Sequence, residues 1–134
     1  CFESEMDGQC HIAGKYFNYP ECCIEFYPTI SSSKNKWANA IIGNSDIGPY
    51  PCWSNRIASG WGGVCFSGEL FPCSLHCKNA NMIGKNTYKC LQEIGFKRLA
   101  NEFLQQSLTP CVVFEDGHVE KASNNELDKI HFFK

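Results

Sequence analysis

Cysteine is the residue with the most chemistry to offer in this chain. Ten of the 134 residues are cysteines, at Cys1, Cys10, Cys22, Cys23, Cys52, Cys65, Cys73, Cys77, Cys90 and Cys111. Two of them are adjacent inside NYPECCIEFYP (18–28), and two more are spaced C-x-x-x-C in CSLHC (73–77). Three chemistries use such residues. A redox dithiol usually takes the form C-x-x-C, which is absent, and a vicinal disulfide between Cys22 and Cys23 would strain the peptide between them. A zinc clip has Cys73, His76 and Cys77 to draw on, but the paired C-x-x-C and H-x-x-x-H spacings are missing and thiols in an oxidising space would sooner oxidise than hold zinc, so no metal is expected. The third chemistry is a disulfide framework. An even count allows five bridges over all ten cysteines, each long loop closed contributing about 2–4 kcal/mol. Adjacent cysteines in such a framework bond to different partners and draw two distant segments onto one point. The sequence does not show which cysteines pair.

This cysteine usage belongs to an oxidising space, so secretion is the expectation. The start at Cys1, with no initiator Met and no apolar leader, reads as the product of signal-peptide removal. No apolar run approaches the roughly 18 residues that span a bilayer, so no membrane insertion is expected. The formal net charge is −2, from 12 basic and 14 acidic residues, and the cations are scattered. Nucleic-acid binding draws its affinity from clustered cations, so a nucleic-acid partner is not expected, and neither is a cationic membrane-lytic role.

Catalytic constellations are weak. A ribonuclease-like hydrolase would use His118, flanked by Glu115 and Glu120, with His11 or His131 approaching it. Fourteen acidic residues always permit a glycosidase pair on paper, which has little specificity. No G-x-S-x-G, H-E-x-x-H or P-loop is present, so no catalytic residue and no cofactor is assigned. Two binding alternatives remain. Trp37, Trp53 and Trp61 with the tyrosines could stack on sugars, although aromatics in a small domain are more often core. Arg56-Ile57, in the loop between Cys52 and Cys65, could be offered to a trypsin-like protease.

These residues need elements to hold them. HIAGKYF (11–17) reads as a strand, SSSKNK (31–36) as an exposed loop, and 37–63 as short strands and turns with NSDIGPYP (44–51) the clearest turn. GGVCFSG (62–68) reads as a short strand. CSLHC, if helical, puts both sulfurs on one face. Over 86–107, Phe96, Leu99, Ala100, Phe103 and Leu104 follow helical spacing, with Gly95 a point of interruption and Pro110 a nearby stop. Asp116-Gly117 between β-prone runs predicts a hairpin, and KIHFFK (129–134) a closing strand. The expectation is one α+β domain over 1–134 with mostly antiparallel strands.

In kind, the processed start, the ten cysteines, the aromatic-rich short segments and the lack of catalytic motifs resemble small secreted cysteine-rich effectors and toxins of pathogenic fungi and similar organisms. The W-R-hydrophobic-R signature of one such group is absent, since WANA, WSNR and WGGV depart from it. The resemblance implies action by binding a host or competitor molecule, often with no enzymatic activity, and the overall expectation is a monomer that works by protein–protein recognition. Interfaces draw their energy from aromatic and Arg anchors, so the expected binding residues are Lys34, Lys36, Trp53, Arg56 and Trp61 on exposed loops.

Overall fold

The computed structural model describes residues 14–46, 48–59, 65–68, 70–121 and 130–131. The segment 14–19 is helical at 14–16, not extended, and closes with a left-handed Asn18 (φ 59°). Tyr19 N–H donates to the Gly14 carbonyl (2.9 Å) and Asn18 N–H to Lys15 (3.0 Å), the two-bond Schellman closure. Helix α1, Glu21–Ser32, follows at once, with Glu21 placing negative charge in its first turn. Pro20 precedes the helix, and Pro28 lies inside it. Pro28 has no N–H to give the Ile24 carbonyl, and burial of Cys23, Ile24 and Ile30 on one face carries the helix through.

SSSKNK is the end of α1 plus a 3-10 turn, Lys34–Lys36, and helix α2, Trp37–Gly43, follows directly. The strands expected over 37–63 are therefore replaced, where described, by α2 and a helical turn α3, Arg56–Ser59. Burial decides the matter: Trp37, Ala38 and Ile41 fall at i, i+1 and i+4, a helical stripe facing the core. In the GGVCFSG segment only a bridge between Cys65 and Gly68 is described.

The long helical segment divides into α4, Lys78–Glu93, and α5, Lys97–Leu108. Gly95 (φ 96°) makes the break: Phe96 N–H reaches Leu91 (2.8 Å) and Gly95 N–H reaches Gln92 (3.2 Å), again a Schellman closure. Ala100 is buried and Phe103 and Leu104 are half-buried, but Phe96 and Leu99 face solvent, because Phe96 sits in the connection. Strand β1, Cys111–Val113, pairs antiparallel with β2, Val119–Lys121, through the Asp116-Gly117 hairpin, where Gly117 takes φ 97°. On its other side β1 pairs with β3, Ile130–His131, giving the order β2-β1-β3. The architecture is α+β.

The main core joins α1, α2, α3 and the sheet through Ile30, Trp37, Ile41, Ile57, Leu75 and Cys111. A second, smaller cluster gathers Cys23, Leu70 and Ala80, with Tyr19, Cys73, Cys77 and Ile83 packed on it. No helix among the described residues is long and apolar enough to cross a membrane.

Candidate functional site

The small cluster is where the cysteines meet. Cys22 and Cys23 stand in the first turn of α1, and Cys77 is the residue that caps α4. Cys22 Sγ lies 3.7 Å from Cys77 Sγ, Cys23 Sγ lies 3.7 Å from Cys77 Sγ, and the adjacent pair is 4.0 Å apart. With Cys73 added, all four sulfurs lie within 4.8 Å of one another. That is close enough to be bridged in pairs after a shift, or to share one metal ion. The sequence reading has the adjacent cysteines bond to different partners and draw two distant segments to one point; one remote segment, the 73–77 loop, meets them. The expected bridges are not seen: Cys22, Cys23, Cys52, Cys65, Cys73, Cys77, Cys90 and Cys111 are unbridged, and Cys1 and Cys10 lie outside the described residues.

The segment that carries Cys73 and Cys77 is a turn pinned from several sides, so the condition of a helix there is not met. Asn44 donates to the Cys73 carbonyl (2.7 Å). Asn81, one turn into α4, donates to the carbonyls of Leu75 (3.0 Å) and Cys77 (2.9 Å). Leu75 N–H donates to Ser45 Oγ (2.9 Å), while its fully buried side chain plugs the main core. His76 turns away from the sulfurs, its ring edge-to-face with Tyr50 at 5.3 Å.

Electrostatics differ sharply among the four thiols. The Cys77 thiol is drawn down to about 5, chiefly by its hydrogen bond with Cys23 and also by the Ala80 N–H. Cys23 is pushed up, first because its S–H donates to the Cys77 sulfur and then by burial. Burial and the Cys77 charge push Cys73 up to about 12. The group therefore settles its first negative charge on Cys77, at the positive end of α4.

The other candidate residues are scattered. Arg56 is not on an exposed loop: it is 3% accessible, its guanidinium donates to the Gly68 carbonyl (3.1 Å) and lies 4.4 Å from the Phe71 ring centre. Ile57 is buried beside it, so Arg56-Ile57 does not offer a protease-facing bond. Cation–π contact and a carbonyl partner make such burial tolerable. Trp53 is half-buried against Phe66 and Tyr88, and Trp37 is buried against Phe71, so among the described residues of the sugar-stacking set these two rings are engaged in packing. Trp61 lies outside the described residues. Lys34 and Lys36 are exposed, as expected.

His118 is exposed on the hairpin, stacked on Phe114 at 4.1 Å, with Asp116 and Glu120 as its carboxylate neighbours in place of Glu115. His11 lies outside the described residues, and so does the side chain of His131. The exposed aromatic pair Tyr16 and Phe17 was missed by the sequence reading, which took their segment for a strand. Comparison with protein-family models, with curated proteins and with solved structures finds no match to this chain.

Proposed function

We propose that this chain is a non-catalytic recognition factor, effector- or toxin-like, that acts by binding a host or competitor protein. The observation that carries the reading is an aromatic ledge next to the sulfur cluster. Tyr16 is 83% and Phe17 62% accessible, their rings in edge contact at 5.4 Å. Phe17 in turn leans on Tyr19 at 5.8 Å, and Tyr19 packs against the cluster that holds Cys23. Exposed aromatics held rigidly side by side mark interaction surfaces, because they bring large contact area at little cost in conformational entropy. The ledge takes over the anchor role that the sequence gave to Trp53 and Arg56. Lys34 and Lys36 supply charge that steers the encounter. The extracellular setting rests on the cysteine content alone.

The test is affinity capture from host or competitor extracts with the native chain and with a Tyr16→Ala/Phe17→Ala variant. Loss of at least 2 kcal/mol of binding, about 30-fold, at unchanged melting temperature is the expected result for hot-spot aromatics. Equal capture by both proteins contradicts the reading.

A further inference from the structure

The four sulfurs have a spacing that no pair of disulfides has. A disulfide brings two sulfurs to about 2.05 Å. Here Cys77 Sγ is equidistant, at 3.7 Å, from Cys22 and Cys23, so it belongs to neither as a bonded partner. A tetrahedral zinc ion with Zn–S bonds of about 2.3 Å holds its four sulfurs about 3.8 Å apart. The edges among Cys22, Cys23 and Cys77, at 3.7, 3.7 and 4.0 Å, lie near that value, and Cys73 Sγ completes the group with all four sulfurs within 4.8 Å of one another.

We propose that Cys22, Cys23, Cys73 and Cys77 are the ligands of a tetrathiolate zinc site that ties the start of α1 to the loop before α4. This goes beyond the recognition reading and does not depend on what the ledge binds; it keeps these four cysteines reduced, outside the disulfide framework from which secretion was expected. Four soft thiolates in tetrahedral array select zinc over the hard, oxygen-seeking cations. Loading is a proton exchange: each ligand still carrying its S–H proton releases it to solvent as its Zn–S bond forms, and no electron moves. The product carries a net charge of −2, since four thiolates surround a divalent ion.

Two independent features meet that charge. The N-termini of a 12-residue and a 16-residue helix, α1 and α4, converge on the sulfurs, with Cys22 and Cys23 in the first turn of one and Cys77 capping the other. A backbone N–H group also reaches sulfur, Cys73 N–H donating to Cys23 Sγ at 3.4 Å. The outer partners Asn44, Ser45 and Asn81 fix the backbone of the 73–77 loop, the role that outer-shell groups play in metal sites. The sequence hid this site because its ligands are C-C and C-x-x-x-C, neither of which is a familiar zinc spacing.

The test is metal analysis of the protein purified under reducing conditions, followed by exchange of zinc for Co2+. One zinc per chain is expected, and Co2+ should give the intense visible bands of a tetrahedral ion with a thiolate charge-transfer band. Cys22→Ser and Cys73→Ser should each abolish the four-sulfur spectrum, while Cys90→Ser, exposed on α4 and outside the cluster, should leave it unchanged. Far-ultraviolet circular dichroism shows whether each variant is folded. Should a cluster variant fail to fold, reversible removal and return of the ion in the wild-type chain carries the test. Metal-free reduced protein that is fully folded overturns the proposal. So does a peptide map of never-reduced protein with Cys22 or Cys23 bridged to Cys73 or Cys77.

Discussion

At the scale of single residues, the polar groups inside the molecule say most about what was hidden in the sequence. Asn55 is 1% accessible, donates to the Ser107 carbonyl (2.7 Å) and accepts from Ala58 N–H (3.3 Å), stitching α3 to α5. Asn55→Ala leaves both backbone groups in the dry interior, so denaturant unfolding should show a loss of about 1–3 kcal/mol. His118 behaves in the opposite way, because its contacts stay in water. Asp116 first, and Glu120 after it, favour the protonated ring, so the pKa lies above 6.5. Any stability from the pair is full below pH 6.5 and is lost as pH rises through the raised value. On the acid side it is lost again as Asp116, held below 3.8 by the same hydrogen bond, takes up its proton. An NMR titration of the His118 ring checks this, and Asp116→Asn should return the midpoint toward the ordinary value. The burial of Arg56 was not legible, because arginine is almost never fully buried without partners, and its partners, Gly68 and Phe71, lie more than ten residues away.

At the scale of elements, features governed by local backbone geometry were legible and those governed by packing were not. The Asp116-Gly117 hairpin and the break at Gly95 were foreseen, because each needs a positive φ that glycine supplies at no cost. The helix over Trp37–Gly43 was not foreseen, since its Trp, Asn and Gly content resembles turn-linked strands until the buried stripe is known. The interruption of α1 by Pro28 was likewise overridden by the burial of Ile24 and Ile30. Packing also sets the cost of change at two glycines. At Gly84 the α4 backbone runs against the Trp53 carbonyl, and an added Cβ would collide with it. Gly84→Ala should therefore cost about 1–3 kcal/mol by overpacking. Gly43, at the end of α2, has nothing within 4 Å of such a Cβ. Gly43→Ala should raise stability by about 0.4–1 kcal/mol, since it only restricts the unfolded chain. Paired melting curves separate the two.

At the scale of the whole molecule, the sulfur cluster joins parts that nothing else in the sequence associates. Cys22 and Cys77 are 55 positions apart, and Cys23 and Cys77 are 54. Closing such separations is what makes a covalent or metal link effective, because the open chain seldom brings the ends together. That the adjacent cysteines act as anchors for distant chain was an expectation of the sequence, whereas the single segment that meets them, the 73–77 loop, depends on long-range folding and could not be read in advance. The aromatic ledge of Tyr16 and Phe17 rests on this junction through Tyr19, so the proposed recognition surface and the proposed metal site share one foundation. Removing the ion should loosen the ledge and the 73–77 loop together. Because binding energy of a structural metal is also folding energy, a chelator should lower the melting temperature of the loaded chain while leaving a protein without the site unaffected. The most direct single measurement is native mass spectrometry of the loaded protein, followed by alkylation of its accessible thiols. The account predicts one zinc per chain and protection of Cys22, Cys23, Cys73 and Cys77 until the ion is removed. A zinc-free chain whose four thiols alkylate at once, or whose mass shows two disulfides among them, would contradict it.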